Sequence, residues 1–250
     1  MDAYDELLEI LKDIDLMSQV RSLLGWDQEV LMPPKAATLR GEQLAWISRE
    51  SHRRKTSPRI GELLDELEEN SELNEIERAN VRLAREAYVK ATKLPTEFVS
   101  EMARHNSKAV ISWTEAREKN DFSIFRDDLA KSIDFARKKA DYLGYETLRY
   151  DALLDIYESG LTVARLDPLF DGLRTEVAPL IKSVAERGGV PDMSWITDNS
   201  WSREGQERLS QKVSEAIGFD FDSGRRDAST HPFCGGPNPD DVRWTTRYND

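Results

Sequence analysis

The chain has 250 residues, with 47 acidic against 35 basic side chains and a formal net charge of -12. That balance argues against a general nucleic-acid partner or an anionic membrane surface, since both are held mainly by Lys and Arg. A single cysteine, Cys234, excludes an internal disulfide and fits a reducing cytoplasm.

The N-terminal Met1-Asp2-Ala3-Tyr4-Asp5-Glu6 is acidic and lacks the basic and apolar regions of a signal peptide. No apolar run reaches the ~18 residues that a membrane helix needs. Apolar side chains at Leu7, Leu8, Leu11, Ile14, Met17, Val20, Leu23 and Leu24 recur at helical spacing. They predict a first helix ending near Gly25-Trp26-Asp27. Met32-Pro33-Pro34 then enforces an extended turn, because proline restricts the residue before it. A second helix is expected from Ala36 to about Arg54, with Leu39, Leu44 and Ile47 inward. Its basic end, Arg53-Arg54-Lys55, reads as a solvated C-terminus favoured by the helix dipole.

A short helix follows over Ser57 to Leu67. Asn74 with Glu77 forms a capping-box pattern that opens a helix to about Thr92. Pro95 closes that segment, and Thr96 is placed to cap a long helix reaching Asn120. Another helix is expected from Ser123 to about Tyr142, with Phe125, Leu129, Ile133 and Phe135 as core candidates, and Gly144 ends it. A short apolar stretch runs from Ala152 to Tyr157. After the Ser159-Gly160-Leu161-Thr162 turn, a helix from Val163 or Asp167 to Glu186 carries Leu169, Leu173, Val177, Leu180 and Ile181. Gly188-Gly189 and Pro191 break the chain, and a last helix runs from about Arg203 to Ile217. Beyond Gly218 helical periodicity stops. The expectation is a mainly α fold in one domain, 1–250, helical over 1–217, with loop and an edge strand over 218–250.

Residues 241 to 248 alternate. Asp241, Arg243, Thr245 and Arg247 fall on one face of a strand; Val242, Trp244, Thr246 and Tyr248 fall on the other. The polar face reads either as the solvated side of an amphipathic strand or as the lining of a cleft. His231-Pro232-Phe233 adds a titratable ring beside a rigid proline. For Trp26-Asp27, periodicity alone favours a core indole and a locally paired or capping carboxylate. The histidines, His52, His105 and His231, are far apart, and no pair lies four residues apart on a helix. There is no phosphate loop and no nucleophile elbow. The residues by themselves show no complete catalytic constellation.

Several stretches nevertheless resemble the carboxypeptidase Taq family of metallocarboxypeptidases. Gly25-Trp26-Asp27-Gln28-Glu29-Val30-Leu31-Met32-Pro33, followed by Arg40-Gly41-Glu42-Gln43-Leu44, is similar to an N-terminal signature of the family. Leu166-Asp167-Pro168-Leu169-Phe170-Asp171-Gly172-Leu173-Arg174 is similar in the middle. Phe221 to Phe233 runs into the family's His-Pro-Phe motif at His231-Pro232-Phe233, and Asp241-Val242-Arg243-Trp244-Thr245 matches Asp-x-Arg-x-Thr. Cys234 and Trp244 depart from the usual residues at their positions.

The resemblance implies the N-terminal half of a helical zinc-metallopeptidase fold, ending in a loop and short β-strand. It implies removal of single residues from peptide C-termini, zinc or cobalt as the metal, and a homodimer. The family's metal ligands and general base sit on a His-Glu-x-x-His helix that these 250 residues lack, so the chain alone is expected to hold no metal and to be inactive. Four residues take expected roles from the family. His231 would donate to substrate or oxyanion, Asp241 would orient a metal-bound histidine, and Arg243 would organise the site or bind carboxylate. Thr245 belongs to the same substrate-facing group, on a strand expected to hold the peptide by main-chain pairing. The competing expectation is a non-catalytic helical protein of peptidase ancestry that binds a peptide or a partner chain.

Overall fold

Asp2 opens the chain's first helix by accepting a hydrogen bond from the Asp5 amide, and the helix α1 then spans Ala3–Val30. The computed structural model describes residues 2–189, 191–197 and 200–248. α1 does not end at Gly25-Trp26-Asp27 as the sequence suggests. An internal glycine weakens a helix by only about 1 kcal/mol, and the flanking Trp26 and Asp27 are both held by tertiary contacts. α2 spans Ala37–Lys55, α3 Pro58–Glu68, α4 Glu75–Thr92, α5 Thr96–Glu118 and α6 Arg126–Leu143.

The predicted capping box is present at α4. The Asn74 carboxamide oxygen accepts from the Ile76 and Glu77 amides, and the Glu77 carboxylate accepts from the Asn74 amide. Thr96 is instead the first helical residue of α5 behind Pro95. One core joins α1, α3 and α4 through Leu7, Ile14, Ile60, Leu63, Leu64, Leu67, Leu73 and Val81. Leu7, Leu63 and Leu64 are essentially sealed from solvent, and each contributes on the order of 1.5–3 kcal/mol by burial. α2 packs against α5 with Gly41 buried at the contact, where a Cβ would meet Arg104 and Ser107 only at ordinary van der Waals distance, 3.9 Å. Ile47 is buried as expected. Leu39 is exposed, on the face of α2 turned from that contact, and Ile133 on α6 is likewise exposed, whereas Phe135 is buried.

Contacts divide the chain into two units, 1–135 with 219–247, and 136–218 with 248–250. The second contains α7 over Asp151–Tyr157, α8 over Val163–Arg187, the short α9 over Ser194–Thr197 and α10 over Arg203–Ala216. Asp151 accepts from the Val163 amide at 2.8 Å and so fixes the start of α8; Thr162 makes no side-chain cap there. Ser202 caps α10 through the Gly205 amide. The apolar residues expected in the core along α8 are exposed, and no residue of that helix is buried.

The first unit ends in a three-stranded sheet of β1 (Gly224–Ala228), β2 (Cys234–Asn238) and β3 (Asp241–Thr246). The order is β1-β3-β2, with β3 parallel to β1 and antiparallel to β2. This corrects the expected edge position of residues 241 to 246: β3 is central, because two strands unmarked by β-rich composition pair on either side of it. Gly236 has φ +152 and a Cβ there would collide with the Asp241 carbonyl, so β2 bulges beside β3.

Candidate active-site face

The polar alternation of β3 becomes a built surface in the first unit. Register pairs Arg225 with Arg243 and Asp227 with Thr245, so these side chains share one face of the sheet. That face lies against the end of α1. The Arg243 guanidinium sits 4.3 Å from the centre of the Trp26 ring, and Arg225 sits 5.0 Å from it. Trp26 is 6% exposed. Two cations on one buried ring gain from its negative face, about 1–2 kcal/mol each where water is excluded. The Trp26 indole N–H is buried and has no hydrogen-bond partner.

Each arginine is held by an aspartate two residues away along its own strand. Arg225 donates to both oxygens of Asp227 at 2.8 and 2.7 Å. Arg243 donates through Nε and Nη2 to the two oxygens of Asp241. Such bidentate pairing fixes the plane of the guanidinium and leaves Nη1 to point elsewhere. On the opposite sheet face Phe219 lies edge-on to Trp244 at 6.0 Å and to Phe221 at 4.9 Å, and the Arg226 guanidinium lies 5.8 Å from the centre of the Trp244 ring.

Below Trp26 the next residue anchors α2. Asp27 accepts from Arg40 at 2.6 Å, and Arg40 also donates to the Leu24 carbonyl at 2.5 Å. The aspartate is thus paired, with a partner on the next helix. Gln28 exchanges two hydrogen bonds with Ser107 of α5: its amide donates to the Ser107 carbonyl, and its oxygen accepts from the Ser107 hydroxyl. Consecutive residues of one motif therefore bind the sheet, α2 and α5.

Thr245 is 5% exposed, and its hydroxyl fastens the His231-Pro232-Phe233 turn. It accepts from the Phe233 amide at 2.9 Å and lies 2.6 Å from the Ser229 hydroxyl. Ser229 in turn donates to the His231 carbonyl at 2.8 Å. With that proton committed, Thr245 is the donor to Ser229. The turn holds His231 exposed, its ring edge-on to Trp113 of α5 at 6.2 Å.

Beside the turn is a cleft of about 280 Å³ whose lining includes Gln28, Glu29, Met32, Val110, Thr114 and Thr230. Crowding by protein raises the pKa of the Glu29 carboxyl, opposed by positive charge on His231. Much of Glu29 remains open to solvent.

Asp241 and Arg243 thus meet on Trp26, while His231 stands on a separate ring, Trp113, tied to β3 through Thr245. The residues read from sequence omitted Trp26 as a platform, together with Arg225, Asp227 and Ser229. A signal for two of them was present: Arg225-Arg226-Asp227 repeats, reversed, the spacing of Asp241-Val242-Arg243. Among the described residues no three His, Cys, Asp or Glu side chains come together as a metal site. The carboxylates of this face are committed to arginines, so its donor set does not by itself fit a catalytic metal.

The mainly helical frame with its small sheet carries Asp-x-Arg-x-Thr on that sheet and His-Pro-Phe in the turn beside it, the motifs through which the sequence resembles a metallopeptidase family. The family model of carboxypeptidase Taq (M32) metallopeptidase matches residues 6–250, and the chain belongs to that family. Carboxypeptidase 1 of Bacillus subtilis is 38% identical over 98% of this chain and 49% of its own length. Thermostable carboxypeptidase 1 of Pyrococcus furiosus is 35% identical over 97% of this chain and 49% of its own. Among solved structures, BsuCP superposes with a TM-score of 0.94 at 37% identity, covering 100% of this chain and 50% of that one. Pyrococcus furiosus carboxypeptidase in its apo-Mg form gives 0.84 at 34% identity, covering 99% and 50%. The chain spans about half the length of these relatives. The matching family is one of metallopeptidases. Among the described residues no helix is long and apolar enough to cross a membrane.

Proposed function

We propose that this chain supplies the substrate-facing half of a metallocarboxypeptidase that releases single residues from peptide C-termini. The observation that carries the reading is the Asp241–Arg243 pair laid on Trp26, in the same sheet that holds the His231 turn. A metal of the family, zinc or cobalt in this reading, supplies a Lewis acid and an activated water when bound. These residues would do the rest of the positioning. Arg243 keeps Nη1 free of Asp241 and offers it to a carboxylate. His231, exposed at the turn, donates a hydrogen bond to a peptide or oxyanion oxygen. Asp241, already oriented by Arg243, has lone pairs left to orient an imidazole N–H. Thr245 acts through the turn, as a positioning residue.

Both sides of β3 are occupied by β1 and β2 over the register they share. An extended peptide therefore gains nothing from the main chain of β3. The side-chain face is the part that addresses the substrate in this reading. On its own the chain is expected to be inactive, since the family's metal-binding helix motif is absent from its 250 residues. A cytoplasmic location, consistent with one cysteine, and a homodimer complete the proposal.

The test replaces the aspartate of Asp-x-Arg-x-Thr, Asp241 here, by asparagine in the full-length Bacillus subtilis relative. A tenfold to hundredfold loss of metal affinity or kcat/KM is expected for an outer group that orients a ligand. Unchanged metal content and turnover remove the role.

A further inference from the structure

The helix α8 is 25 residues long, and none of them is buried. Leu169, Leu173, Val177, Leu180, Ile181 and Val184 are all 40–63% exposed. Their spacing of three and four residues puts them on one stripe. The other side of the helix carries exposed ion pairs, Arg174 with Asp171 and Lys182 with Glu186. The stripe leaves a contiguous apolar surface open, the kind of patch that marks an interaction site.

The helix is also poorly suited to stand unsupported. Pro168 and Pro179 lie inside it. Each removes an i→i−4 hydrogen bond and crowds the preceding turn. Packing of an amphipathic face usually supplies most of a helix's stability in a protein. Among the described residues nothing supplies that packing to α8.

The relatives indicate which polypeptide would supply that packing. BsuCP follows this chain over its full length with a TM-score of 0.94, yet as much of that chain again lies outside the match. The same backbone path is therefore kept in a protein that contains a second half. We infer that the apolar stripe of α8 is the docking surface for polypeptide equivalent to the unmatched half of these relatives. A second copy of this chain is the competing occupant. This inference rests on reading the chain as one half of the family's catalytic fold, and it makes α8 a site of assembly.

The experiment co-expresses the 250-residue chain with the half of Bacillus subtilis carboxypeptidase 1 that it does not match. Light scattering after size exclusion reads the stoichiometry. A 1:1 complex is expected, weakened at least tenfold by Leu173→Asp with Ile181→Asp and unchanged by Leu39→Asp on α2. Far-UV circular dichroism checks that each variant is folded. As a second readout on the unmodified chain, amide exchange along α8 should slow at least tenfold in the complex. No complex, a complex indifferent to the α8 substitutions, or a homodimer lost with those substitutions would each overturn the inference. A complex without metal or activity would uphold the docking surface and count against the catalytic reading instead.

Discussion

The guanidinium of Arg243 rests 4.3 Å from the centre of the Trp26 ring, joining the middle strand of the sheet to the last turns of α1. A residue read from sequence as core filling is also the platform for the charged face. Trp26→Phe keeps the ring face and removes an N–H that is buried without a partner. It should change stability by no more than about 1 kcal/mol, since one orphaned donor is lost with part of the ring. Trp26→Ala should destabilise by about 3–5 kcal/mol. Denaturant unfolding of the two variants checks this; equal losses would show that the platform does not depend on the aromatic face.

Thr245 should behave as a turn fastener. Thr245→Val keeps the shape but strands the Phe233 amide, at about 1–3 kcal/mol. Thr245→Ser should recover most of that. Hydrogen exchange at the Phe233 amide is the direct readout: it should accelerate in the valine variant and remain near normal in the serine variant.

The Arg40–Asp27 contact is partly shielded, with the arginine side chain 11% exposed. Arg40 also satisfies the Leu24 carbonyl. Arg40→Met should destabilise by roughly 2 kcal/mol, because it leaves Asp27 unpaired beside protein. Arg40→Lys should recover only part, since an ammonium lacks the fork that reaches both partners. Thermal unfolding of both variants distinguishes this from a loosely held surface pair, for which both losses would be near zero.

Stability should fall in mild acid because of two buried histidines. Burial lowers the pKa of His52, with Lys55 adding to the effect and the Leu94 carbonyl and Glu97 opposing it. Burial also lowers that of His105, helped by Lys131 and Lys108 and opposed by Asp128. A depressed histidine binds its proton more readily when unfolded. Its contribution is therefore complete above the ordinary value of 6.5 and is lost as pH falls below it, levelling off under the folded pKa. Carboxylates ordinarily titrate below the window from pH 6.5 to about 5, at about pH 4, and the raised Glu29 works in the opposite sense, favouring the fold as pH falls. Urea midpoints across that window should drop, and His52→Gln with His105→Gln should flatten the slope. A slope unchanged by both substitutions would contradict the assignment.

Local chemistry made much of this fold legible. Asn74 with Glu77 announced α4 because a capping box needs only residues three apart, and both hydrogen bonds form. The period-two pattern from Asp241 correctly separated Arg243 from Trp244. The sheet order was not legible, because β3 becomes central only through β1, whose Gly224-Arg225-Arg226-Asp227-Ala228 carries no β-branched or aromatic residue. Leu39 and Ile133 were expected inward on spacing, but their helices turn other faces to the core. The apolar residues of α8 obey their period, yet nothing in the described residues buries them. At the site, Arg225 and the platform role of Trp26, read from sequence as a core indole, were not legible because they arise from register and proximity between segments about 200 residues apart in sequence.

The most direct measurement is metal content by mass spectrometry, paired with release of C-terminal residues from a peptide, on the purified 250-residue chain and on its co-expressed complex with the unmatched Bacillus half. The account predicts neither stoichiometric metal nor release from the chain alone, and both from the complex. Tight stoichiometric metal with activity in the chain alone would contradict it.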